Sequence, residues 1–177
     1  MSGHNKWSQI KNQKGVTDKK RGQLFSKLLK AVSIAAKTEP NPQFNPRLRS
    51  AIEKAEENNV PKDNIDRAIN KASEEKNLED LMIEAYGPEG AAIIIEAITD
   101  NRNRTIAEIK HILSEHGAKL ANQGSVLWSF NPPASGKNWE PKFPQTISGD
   151  GKEKLLTLLN SLDEHDDVQD TITNINL

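Results

Sequence analysis

The sequence predicts an α+β fold: an N-terminal three-helix subdomain followed by a ferredoxin-like split βαβ domain with an extra N-terminal strand. Three observations point there. Apolar residues between Leu24 and Ala72 recur at spacings of three and four, which is the period of a helix face. After Asn77 the pattern changes to β-branched runs, clearest over residues 91–98. The second half then reads β-β-α-β, loop, β-α-β, and setting its first strand aside leaves the split βαβ order.

Residues 1–16 show no period and include Gly3 and Gly15, so they read as a basic arm ordered only in part. From Thr17, Leu24, Phe25, Leu28, Leu29, Val32 and Ala36 form one stripe, with Lys19, Lys20, Lys27 and Lys30 largely off it. Three prolines within residues 38–46 end that helix. Asn45-Pro46 supplies a cap and a first-turn proline for a second helix, which turns Leu48, Ile52 and Ala55 inward and stops at Asn58-Asn59. Pro61 opens a third, with Ile65, Ala68, Ile69 and Ala72 on its stripe. Helices this short persist only by packing on one another. They define a helical domain over residues 17–76, ahead of an α+β domain over residues 77–177.

In that second domain residues 81–86 read as a strand, Gly87-Pro88-Glu89-Gly90 as a turn and residues 91–98 as a central strand. A helix carrying Ile106, Ile109 and Leu113 follows and stops at Gly117. Residues 125–130 read as the next strand, 131–141 (three prolines) as a loop and 143–147 as a short strand. A helix over residues 152–162 then turns Leu155, Leu158, Leu159 and Leu162 inward, and residues 168–175 form the last strand.

Charge is distributed unevenly over the 177 residues. The first 37 hold nine Lys or Arg against one acid, Asp18, whereas the whole chain nets −1. Beyond Arg49 there are 13 basic and 23 acidic residues. A cationic front on an acidic body suits a polyanion-binding protein. There is no cysteine, which removes disulfides, Cys-based zinc sites and thiol catalysis. The start of the chain has no apolar stretch that reads as a signal peptide, and the longest apolar run, residues 91–95, is too short to span a bilayer. The expectation is a cytoplasmic location.

Lys6, Lys11, Lys14, Lys19, Lys20, Arg21, Lys27, Lys30, Arg47 and Arg49 are the candidate phosphate contacts, since lysine and arginine bind phosphate through counterion release. Trp7 lies among them. It either stacks on an unpaired base or packs onto the helical domain as an anchor. About six phosphate contacts on a duplex predict a log–log salt slope near −5. An anionic membrane is the weaker partner, because the apolar stripe of the first helix is committed to a core and no aromatic edge is left to insert. Arg102 and Arg104 form a second candidate, where a strand passes into a helix: they either bind an outside anion or pair internally, for instance with Glu108.

No catalytic set is visible. The histidines are His4, His111, His116 and His165, and no HExxH, GxSxG, Walker or GxGxxG pattern occurs. Asp163-Glu164-His165-Asp166-Asp167 has metal-binding residue types but reads as a solvated loop. The expectation is a non-enzyme with no cofactor, no metal and no small-molecule substrate.

The same residues carry a family resemblance. Met1-Ser2-Gly3-His4-Asn5-Lys6-Trp7, Ile10-Lys11, Lys14, Lys20-Arg21-Gly22, Phe25 and Lys27 resemble the N-terminal signature of the YebC family (also named PmpR). Asn45-Pro46-Arg47-Leu48-Arg49, Tyr86-Gly87-Pro88 with Gly90, residues 100–105, Gly124-Ser125-Val126 and Asp166-Asp167-Val168-Gln169 resemble its later signatures in the same order. The resemblance implies a helical first domain, a ferredoxin-like second domain and no enzymatic activity. It further implies a DNA-binding regulator of transcription or, alternatively, a ribosome-associated translation factor that binds RNA and relieves stalling at proline runs. Typical relatives carry a further α/β domain, in whose place this chain has the loop 131–141; Asn12 stands where relatives often have His. A reading of another class, a protein-interaction adaptor, rests on the acidic body and an exposed sheet edge.

Overall fold

The computed structural model describes residues 18–134 and 138–177. The described residues fall into two compact units. One is helical, running to Asp80 and including Ile98–Asn101; the other, Leu81–Ala97 with Arg102–Leu177, is built on a sheet.

The helical unit holds α1 (Asp18–Ala36), α2 (Pro46–Glu57) and α3 (Lys62–Lys71). Helix α1 packs on both of the others. The stripe read from the sequence is the core, in which Leu24, Leu28, Val32, Leu48, Ala55 and Ile65 are buried together. Asn45 ties the connection from α1 to α2 at three points. Asn45 Oδ1 accepts from the Leu48 N–H at 3.0 Å, capping α2, while its Nδ2 donates to the carbonyls of Ala35 at 2.8 Å and Glu39 at 2.7 Å. Helix α2 stops where Asn59 takes a left-handed conformation, φ 62°, which asparagine adopts more readily than most residues.

The sheet unit contains most of β1 (Glu79–Tyr86) and β2 (Ala92–Thr99), and all of α4 (Arg102–Glu115), β3 (Lys119–Leu120), β4 (Phe130–Asn131), β5 (Glu140–Pro141), α5 (Gly149–Asp163) and β6 (Val168–Thr173). The main sheet has the order β3-β1-β2-β6, with antiparallel β1–β3 and β2–β6 pairs. One face, with Ile83, Ile93 and Ile95, packs on Ile109 of α4 and Leu155 and Leu158 of α5. The other face buries Ile94 and Ile172 against Val126 and Phe130. Helix α4 ends in a glycine stop: Gly117 has φ 68°, the Ala118 N–H reaches the Leu113 carbonyl at 2.8 Å and the Gly117 N–H reaches that of Ser114 at 3.2 Å.

The α+β class and the helical stripes agree with the sequence reading, but the strand assignments inside the sheet change. The strand set aside as extra, β1, is an interior strand between β3 and β2. Residues 125–130 do not form a strand: Leu127–Ser129 is a 3₁₀ turn, and only Phe130–Asn131 is extended. Residues 131–141 are not wholly loop, since β4 and β5 pair as an antiparallel hairpin. Residues 143–147 contribute a single parallel bridge, Gln145 to Ile175. For residues 125–130 a buried polar anchor, Glu84, overrides the local period.

Candidate nucleic-acid interface

Lys6, Trp7, Lys11 and Lys14 lie outside the described residues. Of the candidates that are described, Lys19, Lys20 and Arg21 are consecutive and exposed in the first turns of α1. Helical periodicity explains their position. Lys20, read from the sequence as largely off the apolar stripe, in fact stands one turn ahead of Leu24, as Arg21 stands one turn ahead of Phe25, so both continue the core-facing side of the helix. That side becomes buried only from Leu24 onward. Ahead of it the same side holds exposed cations. The helix dipole does not favour cations at this end.

The other candidates are placed differently. Lys30 is half-buried and Lys27 is 2% exposed, so Lys27 is withdrawn from any outer phosphate surface. Arg47 forms a fork with Asp80, at 2.7 and 2.9 Å, both side chains being more than half exposed. Arg49 donates to the carbonyls of Pro42 at 2.8 Å and Gln43 at 3.1 Å, bracing the turn before α2. Arg102 is exposed at the start of α4.

Arg104 pairs internally. It reaches Asp167 at 2.8 Å and, more distantly, Glu108 at 3.8 Å. Asp167 is buried and also accepts the Thr105 hydroxyl at 2.6 Å. His165 completes the group: its Nδ1 accepts from the Asp167 N–H at 3.1 Å and its Nε2 faces Glu108 at 2.7 Å. With Nδ1 accepting, the neutral ring carries its proton on Nε2 and donates to Glu108. Thus the two segments read separately, residues 100–105 and 163–167, meet in one network. Glu108, His165 and Asp167 place ligand-type atoms within 4.8 Å of one another. The Arg104 guanidinium already gives Asp167 a cationic partner, so the group serves as a clamp between α4 and the start of β6.

The sequence reading missed Glu84. This carboxylate is 5% exposed and accepts three backbone N–H groups, from Gly124 at 2.6 Å, Val126 at 2.7 Å and Leu127 at 3.0 Å. Alternation along β1 assigns Glu84 to the face opposite Ile83, which reads as solvent. Nothing local reports that a loop 40 residues on covers it. Also missed was a pair of exposed rings, Trp128 and Phe143, 63% and 55% exposed, with centroids 5.8 Å apart. Read as a strand, residues 125–130 turn Trp128 to the same side as Val126 and Phe130; the 3₁₀ turn points it outward instead.

Comparison with known proteins gives the family. The profile described as TACO1/YebC protein N-terminal domain matches residues 5–75, and that of the TACO1/YebC second and third domain matches residues 78–135. The chain belongs to the TACO1/YebC family. Relatives named "Probable transcriptional regulatory protein" include one from Finegoldia magna, 43% identical over 167 residues (92% of this chain and 66% of the relative). Another, from Pelodictyon phaeoclathratiforme, is 52% identical over 163 residues (90% and 62%), and one from Desulfosudis oleivorans is 50% identical over 135 (74% and 55%). The chain therefore spans between about half and two thirds of the length of these relatives. A crystal structure of a conserved hypothetical protein from Aquifex aeolicus superposes with a TM-score of 0.85 at 32% identity, covering 97% of each chain. Among the described residues no helix is long and apolar enough to cross a membrane.

Proposed function

We propose that the protein is a nucleic-acid-binding regulator of gene expression that holds the phosphate backbone with the cations at the start of α1. The observation that carries this reading is the exposed run Lys19-Lys20-Arg21, standing where the core-facing side of α1 runs on past the core. Lys6, Lys11 and Lys14, close by in sequence, are assigned to the same ligand, with Trp7 beside them. Charge asymmetry supports it. Residues 50–101 carry 13 acids and five basic residues, which repel a polyanion and leave the cationic start of the chain as its landing site. The names of the relatives favour DNA and transcription.

The test is a salt titration of binding to duplex DNA and, in parallel, to folded RNA. Each phosphate contact contributes about 0.9 to the log–log slope on a duplex, so Lys19→Ala, Lys20→Ala and Arg21→Ala together should lower its magnitude by about 3. Tighter, sequence-dependent binding to DNA supports transcription; preference for the RNA supports a role in translation. Affinity indifferent to salt and to the triple substitution refutes the reading and leaves the adaptor alternative.

A further inference from the structure

We infer that Trp128 and Phe143 form a stacking platform for an unpaired base of single-stranded nucleic acid. The inference rests on the nucleic-acid reading above and sharpens it by naming a second contact, in the sheet unit, with its own ligand chemistry.

Isolated exposed apolar residues need no explanation, but this pair is adjoining and fixed in place. The indole Nε1–H donates to the Ser125 carbonyl at 2.8 Å, which sets the ring orientation. The Tyr86 hydroxyl donates to the same carbonyl at 3.1 Å. Beneath them, the turn carrying Trp128 is held by the Glu84 carboxylate through the N–H groups of Val126 and Leu127. Phe143 is placed by its neighbour, because the Lys142 N–H donates to the Ser129 carbonyl at 2.8 Å. The two rings meet at 48°, and more than half of each remains open to water. Aromatic faces held in advance lose little freedom on binding.

Charge selects the occupant. Between His116 and Gly149 the sequence holds three lysines and one acid, within a body that is otherwise acidic. Of these lysines, Lys142 adjoins Phe143 and is exposed. Aromatic faces with a neighbouring cation suit a base and its phosphate, since every base offers a π-face whatever the sequence. A duplex hides those faces in its own stack. The platform therefore takes single strands, whereas the cations of α1 take phosphate of any form.

The experiment compares the 177-residue wild-type chain, Trp128→Ala, Phe143→Ala and Trp128→Phe for binding to fluorescein-labelled oligothymidylate, oligouridylate and a mixed-sequence duplex. The expected result is a loss of about 5- to 100-fold in single-strand affinity for Trp128→Ala, a smaller loss for Phe143→Ala and near-retention for Trp128→Phe. Duplex affinity should stay within about twofold of wild type. Matching circular dichroism and melting curves establish that each variant is folded. Unchanged single-strand binding in folded Trp128→Ala overturns the platform. So does a fall in which single strand and duplex decline together, or a dimer in sedimentation that Trp128→Ala dissolves, which would make the rings a contact between copies. If the α1 triple variant loses duplex binding while Trp128→Ala changes nothing, only this inference falls; if single-strand binding depends on Trp128 but the α1 variant is inert, only the earlier reading falls.

Discussion

The helical and sheet units are stabilised by different means. In the helical unit Leu24, Leu28, Val32, Leu48 and Ile65 share a core whose members helical spacing identifies. In the sheet unit the strands and helices form a comparable core, but long-range order is set by a few buried polar groups. Glu84 holds residues 124–127, Asp167 joins β6 to α4, and the Asn174 side chain accepts the Ala92 N–H at 3.0 Å. Apolar packing tolerates a volume-conserving swap of any one member at moderate cost. A buried acceptor serving several donors concentrates that cost in a single residue, because its loss leaves each donor unpaired.

Glu84→Ala tests that contrast most severely. It leaves the N–H groups of Gly124, Val126 and Leu127 without their acceptor, and should cost about 3–5 kcal/mol in urea unfolding. Glu84→Gln keeps one acceptor oxygen and should recover part of the loss. Because the turn also carries Trp128, hydrogen exchange at residues 124–129 should rise before the rest of the sheet unit opens. If Glu84→Ala costs less than about 1 kcal/mol, the carboxylate is not what holds this loop.

The same contrast explains how much was legible in the sequence. The helices were readable because Leu24, Leu28 and Val32, or Ile65 and Ile69, report their environment through spacing alone. The β1–β2 turn was readable from Gly87-Pro88-Glu89-Gly90, whose Glu89 and Gly90 take φ values of 54° and 79°. Residues 125–130 misled because Val126, Trp128 and Phe130 alternate like a strand, while the force that bends them comes from Glu84, distant in sequence. Arg104 and Asp167, 63 residues apart, likewise met only in three dimensions. For the candidate interface the sequence supplied composition, and the structure supplied exclusion: Lys27 turns inward and Arg47, Arg49 and Arg104 have internal partners.

The helical unit also has polar ties, and Asn45 supplies a middle-sized test. Asn45→Ala removes the cap on Leu48 and both donations to the carbonyls of Ala35 and Glu39, for an expected loss of about 2 kcal/mol. Asn45→Asp separates the two roles. It keeps the capping oxygen but sets a carboxylate oxygen against those carbonyls, so it should remain close to the alanine variant. Wild-type stability in Asn45→Asp would mean that the cap alone matters and that the α1–α2 connection needs no further tie.

The smallest effect is a pH dependence at the N-terminus of α5. Ser148 caps this helix, its Oγ accepting from the Gly151 N–H at 3.0 Å, and both the Ser148 hydroxyl and its N–H (3.1 Å) donate to the Glu89 carboxylate. Those two hydrogen bonds, the hydroxyl first, hold Glu89 below its ordinary pKa of 4.5; Lys154 adds to the lowering, while slight burial and the Asp150 charge oppose it. The approach is close enough that a Cβ on Gly151 would lie 2.5 Å from Glu89 Oε1. The fold therefore favours the ionised carboxylate. Its contribution is complete above the ordinary pKa and disappears as pH falls through the lower folded value. The stability gap between wild type and Glu89→Gln, from urea melts between about pH 3 and pH 6, should narrow on acidification. A gap that stays constant across that range would mean that the link from the β1–β2 turn to α5 does not depend on the Glu89 charge.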